Sequence, residues 1–503
     1  MSSRSAPFSL HHASIVLVVF LEYLQTIMVS FASSYISGGI DAAPEEFSLA
    51  AACYATVAVV MILAHRWLVQ QLGYRRMLRL SLLTFGLGAL VCALSDSVPV
   101  FVLGRMIQAS GGAAFFTASR VQALHYQGKN RVPALLCLPA GIVLASSIAP
   151  VLAAFLVNTF SWRALFWVML PLTIWVDQLV ACAVPDHEPV ENEQPDQLHP
   201  WGILALTLGV FVLQFVLERS RFDLFDHSVP LYLGGVAACV LLVTYLWHDW
   251  HRTTPLISYA QFSSYRYWFG LCIYGFGYLV ISSSNYILPV FMVQGLGFAV
   301  QTTGWMLGLS SLIGLLTVPL HFRLMMRWPF MRPYLMISMV MLALFGWLGS
   351  RFSQEVPLSA IGAVLLVLNG LFMPFALGTA AAGTFRGISE KVFTHAYQVK
   401  NSMREVANAT GVSIATVLLQ MRESLHSSRL AETTASIQPG YGASGNGPDP
   451  WGLLDHPGTA ALARLASEIS RQSVLMACQD YFWGLCVLAL CAMLLVGVGR
   501  RLV

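Results

Sequence analysis

Charge is scarce in this chain. Asp, Glu, Lys and Arg make up 10% of its 503 residues, where soluble domains run about 25%, and that deficit excludes a water-exposed surface over most of the molecule. Long blocks of like charge are missing too, so the net charge of +4 gives no reason to expect a nucleic-acid partner. The 9 cysteines form neither C-x-x-C nor any paired spacing. Cys53, Cys92, Cys137 and Cys272 stand in apolar surroundings and read as small packing residues, so neither a disulfide framework nor a metal site is expected. His, Asp and Cys do not cluster within the apolar segments in any pattern suited to catalysis, which argues against an enzyme, and no cofactor is implied.

What the chain does have is apolar length. Hydrophobic residues fill 57% of its positions, in about fourteen runs near the roughly 20 residues that a helix needs to cross a bilayer. The first covers 12–34, the thirteenth 401–420 and the last 474–498. An all-α integral membrane protein follows. Residues 1–10 hold one arginine and no small-residue cleavage site, so the first run is expected to stay in the mature chain. An even number of spans puts both termini on one side. Arg66, Arg75, Arg76, Arg79, Lys129, Arg131, Arg323, Arg327 and Arg332 all fall on that side, which makes it cytoplasmic. The polar, acidic stretch 185–200 reads as a linker. The expected organisation is a six-span unit over 1–185, a linker with an inserted two-span hairpin over 186–251, and a second six-span unit over 252–503. One long extracytoplasmic loop, 421–473, is rich in Gly, Pro, Ser and Asp around 438–457 and helix-like from 459. It is expected to be a loosely ordered loop, or else a docking surface for a periplasmic partner; a receptor would need a larger extramembrane domain.

Polar residues inside the runs carry the functional signal, because buried ionisable groups in spans are expensive and mark ion or substrate paths. Glu22 lies mid-run, and Glu22, Thr26, Ser30 and Ser33 form one polar stripe at helical spacing. Counting 1.5 Å per residue puts Glu22 roughly 15 Å from the cytoplasmic side and Arg105 roughly 9 Å from the outside, similar depths in a core about 30 Å thick. A coupling pair between them is expected; the alternative leaves Arg105 on backbone carbonyls. Asp177 is a second acid in an apolar run, nearer the cytoplasm. In the ninth run Tyr274, Tyr278, Ser282, Asn285 and Tyr286 share a face that suits a substrate cavity. Gln214 and Asn369 are weaker lining candidates that could equally bond helix to helix. Arg404 and Glu405, at the cytoplasmic start of the thirteenth run, read as a structural pair or gate, and Asp480 as interfacial.

The segment Phe20-Leu-Glu-Tyr-Leu-Gln-Thr-Ile-Met-Val resembles the first-helix acid motif of the fourteen-span drug:proton antiporters of the major facilitator superfamily, the EmrB/QacA family, with Glu22 in place of its membrane-embedded Asp. Leu103-Gly-Arg-Met-Ile-Gln-Ala-Ser-Gly-Gly is similar to the superfamily's helix-four signature at Arg105, Gln108 and Gly111. Ser161-Trp-Arg-Ala-Leu-Phe-Trp, Asn401-Ser-Met-Arg-Glu-Val-Ala-Asn and Gln479-Asp-Tyr-Phe-Trp resemble the starts of helices six, thirteen and fourteen. The loop before Arg75 and Arg76 keeps the family's Gly73, but has Gln70 for an aspartate and Arg66 for a glycine. Ala149-Pro-Val-Leu-Ala-Ala keeps only Pro150 of the helix-five antiporter motif. The resemblance implies a major facilitator fold of two six-helix bundles plus an inserted hairpin, in a bacterial inner membrane. It also implies a proton-coupled exporter of amphipathic or aromatic small molecules, with a periplasmic membrane-fusion adaptor as a candidate partner. The alternative is an exporter dedicated to one endogenous metabolite, such as a siderophore. With Arg105 as the single deep basic residue, the cavity is expected to favour aromatic or cationic compounds over small polyanions.

Overall fold

The computed structural model describes residues 10–124, 126, 131–184, 199–224, 228–252, 255–262, 264–385, 388–441 and 459–498. Every regular element among them is helical, as backbone crossing a bilayer must satisfy its own hydrogen bonds. The order is α1 (Leu10–Phe31), α2 (Ser33–Gly39), α3 (Pro44–Leu72), α4 (Tyr74–Ala93), α5 (Val98–Gly112), α6 (Phe115–Leu124), α7 (Arg131–Thr159), α8 (Ala164–Trp167) and α9 (Met169–Ala183). Next come α10 (Pro200–Asp223), α11 (Ser228–Trp250), α12 (Tyr259–Phe262), α13 (Tyr265–Val290), α14 (Val300–Leu312), α15 (Gly314–Arg327) and α16 (Met331–Gly349). The chain closes with α17 (Leu358–Leu366), α18 (Met373–Thr384), α19 (Glu390–Tyr441) and α20 (Thr459–Val498). Thirteen helices among the described residues are long and apolar enough to cross a membrane. Helix α19, more polar, is not one of them, yet it packs against α3, α10, α13 and α20 where the thirteenth run was expected.

Apolar side chains assemble into separate cores. One joins residues of α1 to α9, including Leu21, Leu82, Phe101 and Phe166; another joins α13 to α20, including Ile287, Phe345, Leu365 and Phe482. A third ties α3 and α10 to α13 and α19 through Leu63, Leu206, Tyr267 and Ala396. Helices α7 and α14 meet closely at Gly304 and Gly308, where a Cβ would run into the carbonyls of Pro150 and Ser147. Gly73, at φ +77°, makes the turn from α3 to α4, a conformation that costs a residue with a Cβ; Arg75 in the next turn donates to the carbonyl of Ala181.

Successive spans alternate in direction, so α1, α4, α7, α13 and α19 begin on one face of the bundle, here the near face, and run to the far face. Hydrogen bonds linking α1–α9 to α19 gather toward the near face: Arg66 to His395 (2.6 Å), Gln398 to the carbonyl of Leu63 (3.1 Å) and Asn401 to Thr117 (2.8 Å). On the far face Asn158 donates to Gln301 at 3.5 Å. Thr26 and Ser30 on α1 and Asn285 on α13 are exposed.

Two sequence expectations change. Helix α19 starts at Glu390 rather than near 401, because its polar first turns are buried against protein and not lipid; His395, Gln398 and Lys400 are all 2% exposed or less. The expected loose loop is helical over 421–441, while 459–473 is helical as expected. At 52 residues α19 is roughly 78 Å long, far more than the bilayer core. Arg422 and His426 hold Asp480 at 2.7 Å each, fastening α19 to α20. Residues 442–458, and the acidic linker at 185–198, lie outside the described residues.

Candidate functional site

The site begins with a broken helix. The fourth span stops at Gly112 and restarts at Phe115, since consecutive glycines at 111 and 112 weaken a helix interior. The N–H of Phe116, at the start of α6, is thereby freed and donates to Glu22 Oε2 at 3.1 Å. A helix N-terminus favours a negative charge. Glu22 itself is 7% exposed and lies roughly 18 Å along α1 from its near-face end.

The partner of Glu22 is Arg404, which reaches it from α19. Arg404 Nη2 donates to Glu22 Oε1 at 2.7 Å, and the two side chains are 8% and 4% exposed for the acid and the base. Arg404 also donates to Glu405 Oε1 at 2.7 and 3.0 Å and to the Tyr23 hydroxyl at 2.8 Å. The expected pairing of Glu22 with Arg105 is therefore corrected. Arg105 donates to Gln108 Oε1 at 2.5 Å, and its guanidinium carbon stands 4.1 Å from the centroid of the Tyr54 ring. Sequence depth fixed one coordinate of each residue but not the direction in which its helix turns it, and Arg105 faces α3. Arg404 lies deeper than the thirteenth run suggested, roughly 21 Å from the start of α19.

One turn before Arg404 on α19 is Lys400, 2% exposed and absent from the sequence-level candidates. Its Nζ donates to Asn401 Oδ1 at 3.0 Å. Four rings surround it: Phe116 at 4.7 Å, Tyr274 at 4.8 Å, Tyr397 at 5.0 Å and Tyr278 at 5.4 Å. Arg120 on α6 adds another cation, 5.6 Å from the Tyr397 centroid and 5.9 Å from that of Phe393. The expectation of a single deep basic residue is thus overturned. A signal was available: Tyr397, Lys400 and Arg404 recur at helical spacing, and a run begun at Asn401 leaves the first two of them outside.

The remaining candidates separate by contact. Tyr274 and Tyr278 are buried and stacked, centroids 6.0 Å apart, and Ser282 donates to the carbonyl of Asn408 at 2.9 Å, so this part of the α13 stripe packs on α19. Asn285 is exposed and Tyr286 half-buried. Thr26 donates to its own helix, at Glu22 O (2.8 Å). Asn369 donates to Ser310 at 3.0 Å, the helix-to-helix bond that was its alternative reading. Gln214 is fully buried, with neither end of its amide hydrogen-bonded among the described residues. Asp177 is held by both ends of Arg79 at 2.9 Å, with Arg79 45% exposed, so it joins none of the bonds of the Glu22 cluster.

A family model described as Major Facilitator Superfamily matches residues 15–431. The probable multidrug resistance protein EmrY of Escherichia coli (strain K12) is 24% identical over 474 residues, 93% of this chain and 90% of that protein. The multidrug export protein EmrB of Haemophilus influenzae is 22% identical over 474 residues, 93% of this chain and 91% of the other. Among solved structures, the human organic anion transporter MFSD10 (TETRAN) superposes with a TM-score of 0.59 at 14% identity, covering 97% of this chain and 100% of that one. A D-xylose-proton symporter gives 0.55 at 13%, covering 93% and 96%. At such identities the structures share a fold.

Proposed function

The chain belongs to the Major Facilitator Superfamily, as a multi-pass membrane transporter and not an enzyme, and on that premise we propose that it exports amphipathic or aromatic small molecules in exchange for protons. The names of its relatives, multidrug resistance and multidrug export proteins, support the direction of transport. The observation that carries the reading is the buried Glu22–Arg404 pair, a titratable acid bonded from the first span to the thirteenth. A proton on Glu22 neutralises the charge that holds Arg404 and leaves the arginine to Glu405 and Tyr23. With Arg404 still held by Glu405, loss of the Glu22 charge is worth about 1–3 kcal/mol, a shift of roughly 5- to 150-fold in a two-state equilibrium.

The two six-span units then rock about the close contact of α7 with α14, exposing the centre to each side in turn. Basic residues at the near face, among them Arg75, Arg76, Arg79, Arg323 and Arg327, favour placing that face and both termini in the cytoplasm of a bacterial inner membrane. The projecting ends of α19 and α20 then stand on the outer side, where a membrane-fusion adaptor would reach them. Proteoliposomes with an imposed pH gradient test the reading. Wild type should accumulate cargo, and Glu22→Gln should insert and fold yet fail to concentrate it. Accumulation by the variant would assign the proton to another acid.

A further inference from the structure

We propose that Lys400, with Arg120, is the anchor for an acidic group of the cargo, so that the preferred substrates are aromatic compounds bearing a carboxylate. The direction of movement rests on the export reading above, whereas the binding preference stands apart from it. Both carboxylates at the centre, Glu22 and Glu405, are bonded to Arg404. Lys400 has Asn401 Oδ1 and four ring faces, and among the described residues no carboxylate bonds to it or to Arg120. With Lys400 protonated, three cations face two carboxylates, which leaves one positive charge without a counterion inside the bundle. A buried charge is retained at high cost unless something pairs with it, and a carboxylate is the partner that a lysine and an arginine together fit.

The position suits a cargo site. Phe116 and Thr117 belong to α6, whereas Tyr274 and Tyr278 belong to α13, and Lys400, Tyr397 and Asn401 to α19, so the cage lies on the seam that closes the near face. Separation of α6 from α19 would break the Asn401–Thr117 bond, withdraw Phe116 and open Lys400 to entering solute. The rings that now cover the ammonium would stack on the aromatic part of the cargo while its acid takes the cation. Arg120 lies further toward the near face along α6, on the way in under the proposed orientation.

Three probes that share one ring system separate charge from shape: 1-naphthoate, 1-naphthamide and 1-naphthylmethylammonium, titrated calorimetrically into the purified full-length protein. Wild type should bind the naphthoate about tenfold or more tighter than the amide, and the ammonium least. Lys400→Met should erase the preference of acid over amide, Lys400→Arg should keep most of it, and Arg120→Met should reduce it. Equal or tighter binding of the amide or ammonium by wild type, no binding of the naphthoate, or an unchanged preference in Lys400→Met would overturn the proposal. The wild-type series decides alone if the methionine variant does not fold. Flux distinguishes the two readings: naphthoate that binds but is not driven by a pH gradient in proteoliposomes contradicts proton-coupled export and leaves the anchor standing. An acid leaving as one proton enters moves two charges in the same sense, a neutral cargo one and a monocation none. Naphthoate flux should therefore respond to an imposed potential more steeply than naphthamide flux, and equal responses would contradict transport of the acid as an anion.

Discussion

Replacing Arg404 by methionine keeps much of the side-chain volume and removes the guanidinium that bridges α19 to α1. The loss can be worked from the bonds. Glu22 Oε1 gives up its 2.7 Å partner and Tyr23 its 2.8 Å donor. Glu22 keeps the Phe116 N–H at 3.1 Å, and Glu405 stays nearby with no arginine between the two acids. An acid left buried without its cation costs about 3–5 kcal/mol. Glu22→Gln is milder, because its amide oxygen still accepts from Arg404 or Phe116 and Arg404 still has Glu405; about 1–3 kcal/mol is expected. The double variant should cost less than the two single ones together, since no charge at position 22 is then left without its cation, with a coupling of about 0.5–3 kcal/mol. Unfolding of the four proteins in one detergent, followed by tryptophan fluorescence, measures the cycle. Additive effects, or an Arg404→Met protein as stable as wild type, would refute the reasoning.

Arg105→Ala should weaken packing of α5 on α3 and lower the unfolding midpoint, by losing the Gln108 bond and the Tyr54 ring contact, while proton coupling per transported molecule stays intact; proton and cargo fluxes measured together check this. Asp177→Asn should leave transport unchanged and the unfolding midpoint within error, because its partner Arg79 reaches solvent and the pair lies apart from the Glu22 cluster. Gly308→Val places branched carbon against the Ser147 carbonyl and Val151, and should destabilise by about 1–3 kcal/mol and slow turnover more than equilibrium cargo binding. Tyr278→Ala should alter the order of preference among aromatic cargoes in a flux panel with little change in proton coupling.

Much of the fold is legible in the sequence, because crossing a bilayer requires long apolar runs and charge is confined to their ends. Glu22 is legible for the same energetic reason: an acid inside such a run stands out. What depth along a helix cannot supply is azimuth. Arg105 and Arg404 both lie deep in the bundle, and only the packing of α5 on α3 and the turn of α19 toward α1 decide which one meets Glu22. Lys400 escapes notice because the turns before it are polar. A membrane helix shielded by other helices need not be apolar, so hydropathy ends the run too early there. The break at Gly111 and Gly112 is visible as two glycines, but its use, freeing the Phe116 N–H for Glu22, depends on α1 lying alongside.

Proton release on cargo binding bears most directly on coupling through Glu22. Purified wild-type protein in weakly buffered solution with a pH indicator should release protons when a neutral cargo such as 1-naphthamide is added, since it brings no charge of its own to bias Glu22, and Glu22→Gln should bind the same cargo and release none. Equal release from the variant would contradict Glu22 as the coupling acid.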